Sequence, residues 1–290
     1  MDRRTLLKGT VLGISALALH PAFTLAADAD DTHARLIALE RQHGGRLGVA
    51  ILDTHNERRI LYRDNERFMM CSTFKLLLVA ATLARVDRGK EQLDRRVVFD
   101  QKAVLSYAPV TRLHVGPPGM TVAELCKAAI TLSDNTAANV LLTSLGGPAA
   151  VTAYARQLGD PITRLDRIEP ELNRPSPDHV SDTTAPSAMV ANLRALTLGN
   201  ALGDTSRHQL IQWLCETTTG SKLLRAGLPV DWRVGDKTGS GNGATNDVAI
   251  IWPPHRAPLL VAAYYDAPMA DDAGRSAVLA EVGRIAAASI

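Results

Sequence analysis

Apolar and polar positions along the chain change period four times, and each change marks a switch between helix and strand. From Thr32 to Gln42, Leu36, Ile37 and Leu39 recur at near-helical spacing. A continuous apolar run, Leu47-Gly48-Val49-Ala50-Ile51-Leu52, then meets the polar turn Thr54-His55-Asn56-Glu57-Arg58 and a second short run, Ile60-Leu61-Tyr62. That order predicts a helix followed by a β-hairpin. From about residue 72 to 218 the pattern is helical. Phe74 to Arg85 is rich in Leu and Ala, and Thr121-Val122-Ala123-Glu124 has the form of a capping box ahead of Leu125 to Leu132. Further helical runs cover Thr136 to Leu145, Ala149 to Leu158, Ser187 to Leu198 and Arg207 to Cys215. Strand-like runs return at Trp232-Arg233-Val234, Asp247 to Trp252 and Leu259 to Tyr265, before a last helix from about Arg275 to Ala287.

Strands at both ends with helices between them predict an α/β fold of the α+β kind. The two ends join in one antiparallel sheet of about five strands flanked by the terminal helices, and the middle forms an all-helical lobe. The expected division is a discontinuous α/β domain of residues 30–66 and 219–290 and an all-α domain of residues 67–218, with the functional site in the cleft between them. One stretch fits no element. Pro161 to Pro186 contains Pro161, Pro170, Pro175, Pro177 and Pro186, and a stiff loop of that length in a compact protein is usually functional.

Composition narrows the classes. A chain of 290 residues with 46% hydrophobic and 21% charged content has ample core and no signature of disorder. The formal charge is only +2, and the excess disappears once Asp2, Arg3, Arg4 and Lys8 are set aside, which argues against nucleic acid as a partner. Those four residues open an N-terminal segment whose apolar stretch, Gly9 to Leu19, is too short to span a bilayer. With small residues after His20-Pro21, residues 1–29 read as a cleavable signal peptide, cut after Ala26, Ala27 or Ala29, and the arginine pair resembles a twin-arginine signal. The implied location is periplasmic or secreted, with no stable membrane association after cleavage. Three cysteines cannot all pair within one chain, and the eight histidines lack zinc-type spacing. No metal or organic cofactor is expected.

Three short motifs carry chemistry. In Ser72-Thr73-Phe74-Lys75 the serine and lysine share one face of a helical turn, so the amine reaches the hydroxyl, and a helix start directs free N–H groups at a developing oxyanion. Ser133-Asp134-Asn135 offers a hydroxyl and an amide between two helices, although Asp and Asn there also suit a helix cap. Lys237-Thr238-Gly239-Ser240-Gly241 interrupts strand-like sequence with glycines that permit close approach of a ligand and a cation that draws a carboxylate. Each motif alone is compatible with an ordinary cap or turn. In this order within one chain they resemble the serine β-lactamase and penicillin-binding protein superfamily.

Arg164-Leu165-Asp166-Arg167-Ile168-Glu169-Pro170-Glu171-Leu172-Asn173 further resembles the omega loop of class A β-lactamases, here residues 161–182. Asp182 to Met189 is similar to the family's following segment, so the resemblance covers nearly all of the mature chain. It implies a hydrolase that opens penicillins and cephalosporins and confers antibiotic resistance. Ser72, Lys75, Ser133 and Glu169 would be catalytic, Ser72 as the nucleophile and Glu169 as activator of the deacylating water. Asn135, Asn173, Lys237, Thr238 and Ser240 would bind substrate, and Tyr107 would line the cleft mouth. The first proton acceptor is either Lys75 or Glu169 acting through water. The implied partner is the small-molecule substrate alone, met by a monomer.

Three departures from the family pattern stand out. Leu223, Thr245 and Ser276 occupy positions where relatives carry an arginine for the substrate carboxylate, leaving Arg225 and Arg275 as candidates to substitute. Gly241 stands where carbapenem-hydrolysing relatives place a disulfide partner for Cys71, and Val79 where others pair Cys126, so three free thiols are expected. Ser240 in place of alanine suggests competence on cephalosporins. The competing readings are a D-alanyl-D-alanine carboxypeptidase or transpeptidase and a β-lactam sensor domain, both of which would stay acylated by penicillin.

Overall fold

A computed structural model describes the backbone of residues 22–290 and side chains from residue 31 onward, so the leader segment lies largely outside the described residues. The elements are α1 (Ala22–His43), β1 (Arg46–Asp53), β2 (Arg58–Tyr62), β3 (Phe68–Met69), α2 (Phe74–Asp87), β4 (Arg96–Val97), β5 (Met120–Thr121), α3 (Val122–Thr131), α4 (Asn135–Leu145), α5 (Pro148–Gln157), β6 (Thr183–Thr184), α6 (Pro186–Thr197), α7 (Asp204–Cys215), β7 (Arg233–Gly241), β8 (Ala244–Trp252), β9 (Leu259–Asp266) and α8 (Asp272–Ala288).

Five strands form one antiparallel sheet in the order β2-β1-β9-β8-β7, so the two chain ends meet as expected, with β1 beside β9. Alternation sorts the strand side chains into two cores. Val49, Ile51, Ile60, Val261 and Ala263 pack with Leu36 and Leu39 of α1 and with Val278, Val282 and Ile285 of α8. Ala50, Leu52, Val248, Ile250, Leu260 and Tyr264 face the other way, toward Met189 and Leu193 of α6 and the helical lobe. Helix α2 is the axis of that lobe, with every residue from Phe74 to Ala84 buried. Each buried leucine of that run, such as Leu77 or Leu83, stabilises the fold by about 2 kcal/mol.

Local signals match local structure. Thr121 and Glu124 form a reciprocal capping box, at 3.1 and 2.7 Å, at the start of α3. Asp134 caps α4 by accepting from Ala137 N at 2.9 Å, and α4 ends on Gly146 in the left-handed conformation, with φ of 102°.

Three boundaries differ from expectation. Helix α1 begins at Ala22 rather than near Thr32, because the alanine-rich stretch before Thr32 has high helix propensity. Strand β7 does not stop at Val234 but continues through the Lys-Thr-Gly segment to Gly241. Its glycines, which on propensity argue against a strand, are there for close packing. Within the long proline-rich loop, β6 pairs with β3, Phe68 opposite Thr184, and so ties the loop's end to the strand before Ser72.

Candidate active site

Ser72 lies in a single turn of 3-10 helix, Cys71–Thr73, that runs directly into α2. Cys71 holds a left-handed backbone, φ 45°, an uncommon conformation for a residue with a side chain and one that clusters at functional sites. Lys75, one turn on, is fully buried. Its Nζ donates to Ser72 Oγ at 2.9 Å, to Ser133 O at 2.8 Å, to Ser133 Oγ at 3.3 Å and to Asn135 Oδ1 at 2.6 Å. Glu169 Oε1 stands 3.1 Å from Lys75 Nζ and accepts from Ser72 Oγ at 3.1 Å. The serine hydroxyl is therefore held between a buried ammonium and a buried carboxylate. Burial pushes the Lys75 amine below its ordinary value, against the opposing pull of Glu169.

The omega loop delivers Glu169 through a set of internal ties. Asp182, fully buried, accepts from Asp166 N at 2.8 Å, from Arg167 N at 2.9 Å and from Arg167 Nε at 2.6 Å, closing the loop at its base. Asn173 Nδ2 donates to Glu169 Oε2 at 2.6 Å, and its buried Oδ1 has no partner.

Ser133 and Asn135 flank the capping residue between α3 and α4. Ser133 also has a left-handed backbone, φ 57°, which turns its hydroxyl and carbonyl to the lysine. The cap reading thus holds for Asp134 alone. The same Asp134 carboxylate accepts from Val110 N and Thr111 N, both at 2.9 Å, anchoring the loop that carries Tyr107, whose carbonyl accepts from Asn135 N at 3.1 Å.

The opposite wall is β7. A side chain at Gly239 would put its Cβ 2.7 Å from Met70 O and 3.1 Å from Ser72 N, so only glycine lets the strand lie against the nucleophile turn. Lys237, fully buried, donates to Ser133 Oγ at 3.1 Å and to Thr238 O at 2.8 Å. Burial and the neighbouring Lys75 charge lower its amine to about 7. Ser72, Tyr107, Ser133, Asn135, Asn173, Thr238 and Ser240 line one cavity of about 430 Å³, and Lys75, Glu169 and Lys237 lie beneath it. All ten residues singled out in the sequence thus converge on one cleft.

Comparison with known proteins identifies the family. Residues 31–290 match the model of the β-lactamase enzyme family. β-Lactamase CTX-M-8 of Citrobacter amalonaticus is 49% identical over 90% of both chains. The solved structure of a reconstructed ancestral class A β-lactamase superposes with a TM-score of 0.87 at 60% identity, covering 89% of this chain and 100% of that one. The putative class A β-lactamase PenP from Rhodopseudomonas palustris gives 0.87 at 53% identity, over 90% and 100% of the two chains. The chain belongs to the class A serine β-lactamases.

For this β-lactamase the structure corrects one expectation. Neither Arg225 nor Arg275 reaches the cleft. Arg225 Nε is bound to the buried Asp236 at 2.7 Å. Arg275 is itself buried behind the wall, where Nε donates to Thr245 Oγ1 at 3.2 Å and the Nη groups bind Asp272 and the carbonyls of Ala267 and Ala270. The end of the cleft where that arginine was expected is instead lined by Thr219, Leu223, Thr245, Asp272 and Ser276. Cys71, Cys126 and Cys215 are free thiols.

Sequence reading missed three supports of the β-lactamase site. Asn139 accepts from Glu169 N at 3.0 Å and donates to Glu169 O at 2.9 Å, fixing the backbone of the loop glutamate. It is four residues after Asn135 on α4, hence on the same face, and that spacing was a usable signal. Asn246 of β8 donates to Met69 O at 2.8 Å and to Met70 O at 3.1 Å, tying the sheet to the Ser72 turn. Thr219 Oγ1 lies 2.6 Å from Thr238 Oγ1. Neither of the last two carries a sequence signal.

Proposed function

We propose that this β-lactamase opens penicillins and cephalosporins in two steps, through an acyl-enzyme on Ser72 that a water activated by Glu169 hydrolyses. The observation that carries this reading is the three-way contact of Ser72 Oγ, Lys75 Nζ and Glu169 Oε1, at 2.9, 3.1 and 3.1 Å. In acylation the hydroxyl already points its proton at Glu169, the base within reach, while Lys75 stabilises the alkoxide that develops. The backbone N–H groups of Ser72 and Ser240 form the oxyanion hole. As the lactam C–N bond breaks, Ser133 gives its proton to the ring nitrogen and is refilled by Lys75, which in turn recovers a proton from Glu169. Lys237, Thr238 and Ser240 hold the substrate carboxylate, Asn135 the acylamide, and Tyr107 packs on the substrate at the cleft mouth.

Deacylation needs a base that has returned to its ionised form beside the ester. Glu169 accepts a proton from the attacking water, and Asn173, bound to Glu169 through Nδ2, has a free Oδ1 to accept the water's second hydrogen. The tetrahedral adduct collapses, Ser72 takes back a proton, and the opened acid leaves. No step calls on a metal or organic cofactor. Among the described residues no helix is long and apolar enough to cross a membrane. The Arg3-Arg4 leader supports export by the twin-arginine route to the periplasm or beyond, where the enzyme acts as a monomer and confers resistance.

The test is the intact mass of purified protein mixed with a penicillin. A transient adduct of one drug mass that decays to the unmodified protein, and is absent in Ser72→Ala, is the expected result. A lasting adduct on wild type would make the protein a penicillin-binding enzyme or sensor instead.

A further inference from the structure

A second cavity, of about 510 Å³, lies at the β2 edge of the sheet, opposite the β7 edge that walls the catalytic cleft. Its origin is local. Strand β2 is the sheet's edge, and α6 packs chiefly on β1, β8 and β9. The inward face of β2, Arg59 and Leu61, is therefore left uncovered. Opposite them α6 presents Ala191 and Ala195, one turn apart and too short to close the gap, and β1 adds the small Ala50. Leu61 and Leu198 remain 37% and 42% exposed over this slot.

Two ties define its direction. Ser187 bonds Asp64 at 2.5 Å at one end, and Arg194 binds Glu57 through both Nη groups, at 2.7 and 2.8 Å, at the other. The slot thus runs along α6, whose advance from Ser187 to Arg194 is roughly 10 Å. The two ends differ in charge. At the Glu57 end two guanidinium groups, Arg59 and Arg194, stand against one carboxylate. Arg59 makes no ion pair or side-chain hydrogen bond among the described residues, so the surplus positive charge belongs to it. An apolar trench with one unpaired cation at one end fits an amphipathic anion.

We propose that this slot binds an unbranched alkyl carboxylate, of about ten carbons at roughly 1.25 Å of advance each. The carboxylate pairs with Arg59, and the chain lies between Leu61 and the alanine face of α6.

Binding of [1-13C]decanoate, far below its micellar range, is followed by NMR on the whole mature protein. Saturable one-site binding with a Kd on the order of 1 mM or tighter is expected for wild type. Arg59→Gln weakens it about fivefold and Arg59→Lys leaves it within about twofold. Ala191→Trp and Ala195→Trp each fill the trench and remove the saturable component, while penicillin turnover stays at the wild-type rate and reports that the variants are folded. Absence of saturation in wild type, unchanged binding in both tryptophan variants, or equal binding of an uncharged decyl glycoside would each overturn the proposal. Because binding is read directly, the outcome does not depend on the roles given to Ser72 and Glu169.

Discussion

The floor of the catalytic cleft and its carboxylate end are built on opposite principles. At the floor, Lys75, Glu169 and Lys237 are all but excluded from solvent, and Lys75 and Glu169 are each held by several partners. Such groups are costly to bury unless fully satisfied, so their geometry is fixed by many mutually dependent bonds. At the far end, Thr245 and Ser276 are short and neutral, and the carboxylate of Asp272 is almost fully exposed beside Arg275. Thr245 accepts from Arg275 and Thr219 pairs with Thr238, so this end is fixed by fewer contacts than the floor. On the mechanism proposed above, the chemistry is written into the interior, and preference among substrates falls to the less constrained rim.

That contrast is broken most severely at the floor. Ser72→Ala removes the nucleophile, and kcat falls about 10⁵-fold or more in a steady-state assay. Next comes Asp182→Asn, which leaves the Arg167 guanidinium without its buried partner. Stability drops by about 3 kcal/mol, read from denaturant unfolding, and deacylation slows as Glu169 loses its fixed position.

The effect of pH is smaller and has a defined sign. With its amine lowered to about 7, free-enzyme Lys237 is a cation below that pH and neutral above it. The value of kcat/KM for a carboxylate-bearing penicillin should fall as pH rises through about 7. Bound substrate favours the ammonium, so kcat at saturation holds to higher pH. Lys237→Arg should abolish the kcat/KM limb without moving the acid side. A profile unchanged by that substitution assigns the limb to another group.

The rim should respond least. Ser240→Ala, which keeps the backbone N–H of the oxyanion hole and loses only the hydroxyl, lowers kcat/KM for a cephalosporin by a few-fold, about 1 kcal/mol for one hydrogen bond, and for a penicillin by less. A matched loss on both substrates would place Ser240 in the common machinery and erase the distinction between floor and rim.

Much of this was legible in the chain. The capping box at Thr121, the apolar runs of β1 and β9, and the ordered motifs at Ser72, Ser133 and Lys237 are local signals whose physics survives folding. What was not legible depends on contacts distant in sequence. Gly239 reads as a strand breaker until Ser72 N is found against it, so β7 was expected to end seven residues early. Arg225 and Arg275 were reasonable cations for a carboxylate by sequence position. Only the fold shows that Asp236 holds one and that the other faces the back of the wall. Asn246 is an unremarkable strand residue until its amide is seen bridging to Met69 and Met70.

The most direct test of the floor's role separates the two half-reactions in Glu169→Gln. Mixed with one equivalent of a penicillin, this variant should still form the Ser72 adduct, seen by intact mass, though more slowly than wild type because Lys75 must then take the Ser72 proton, and should hold it at least about 10³ times longer than wild type. An adduct that clears at the wild-type rate would show that another group activates the water, and the role given to Glu169 would be wrong.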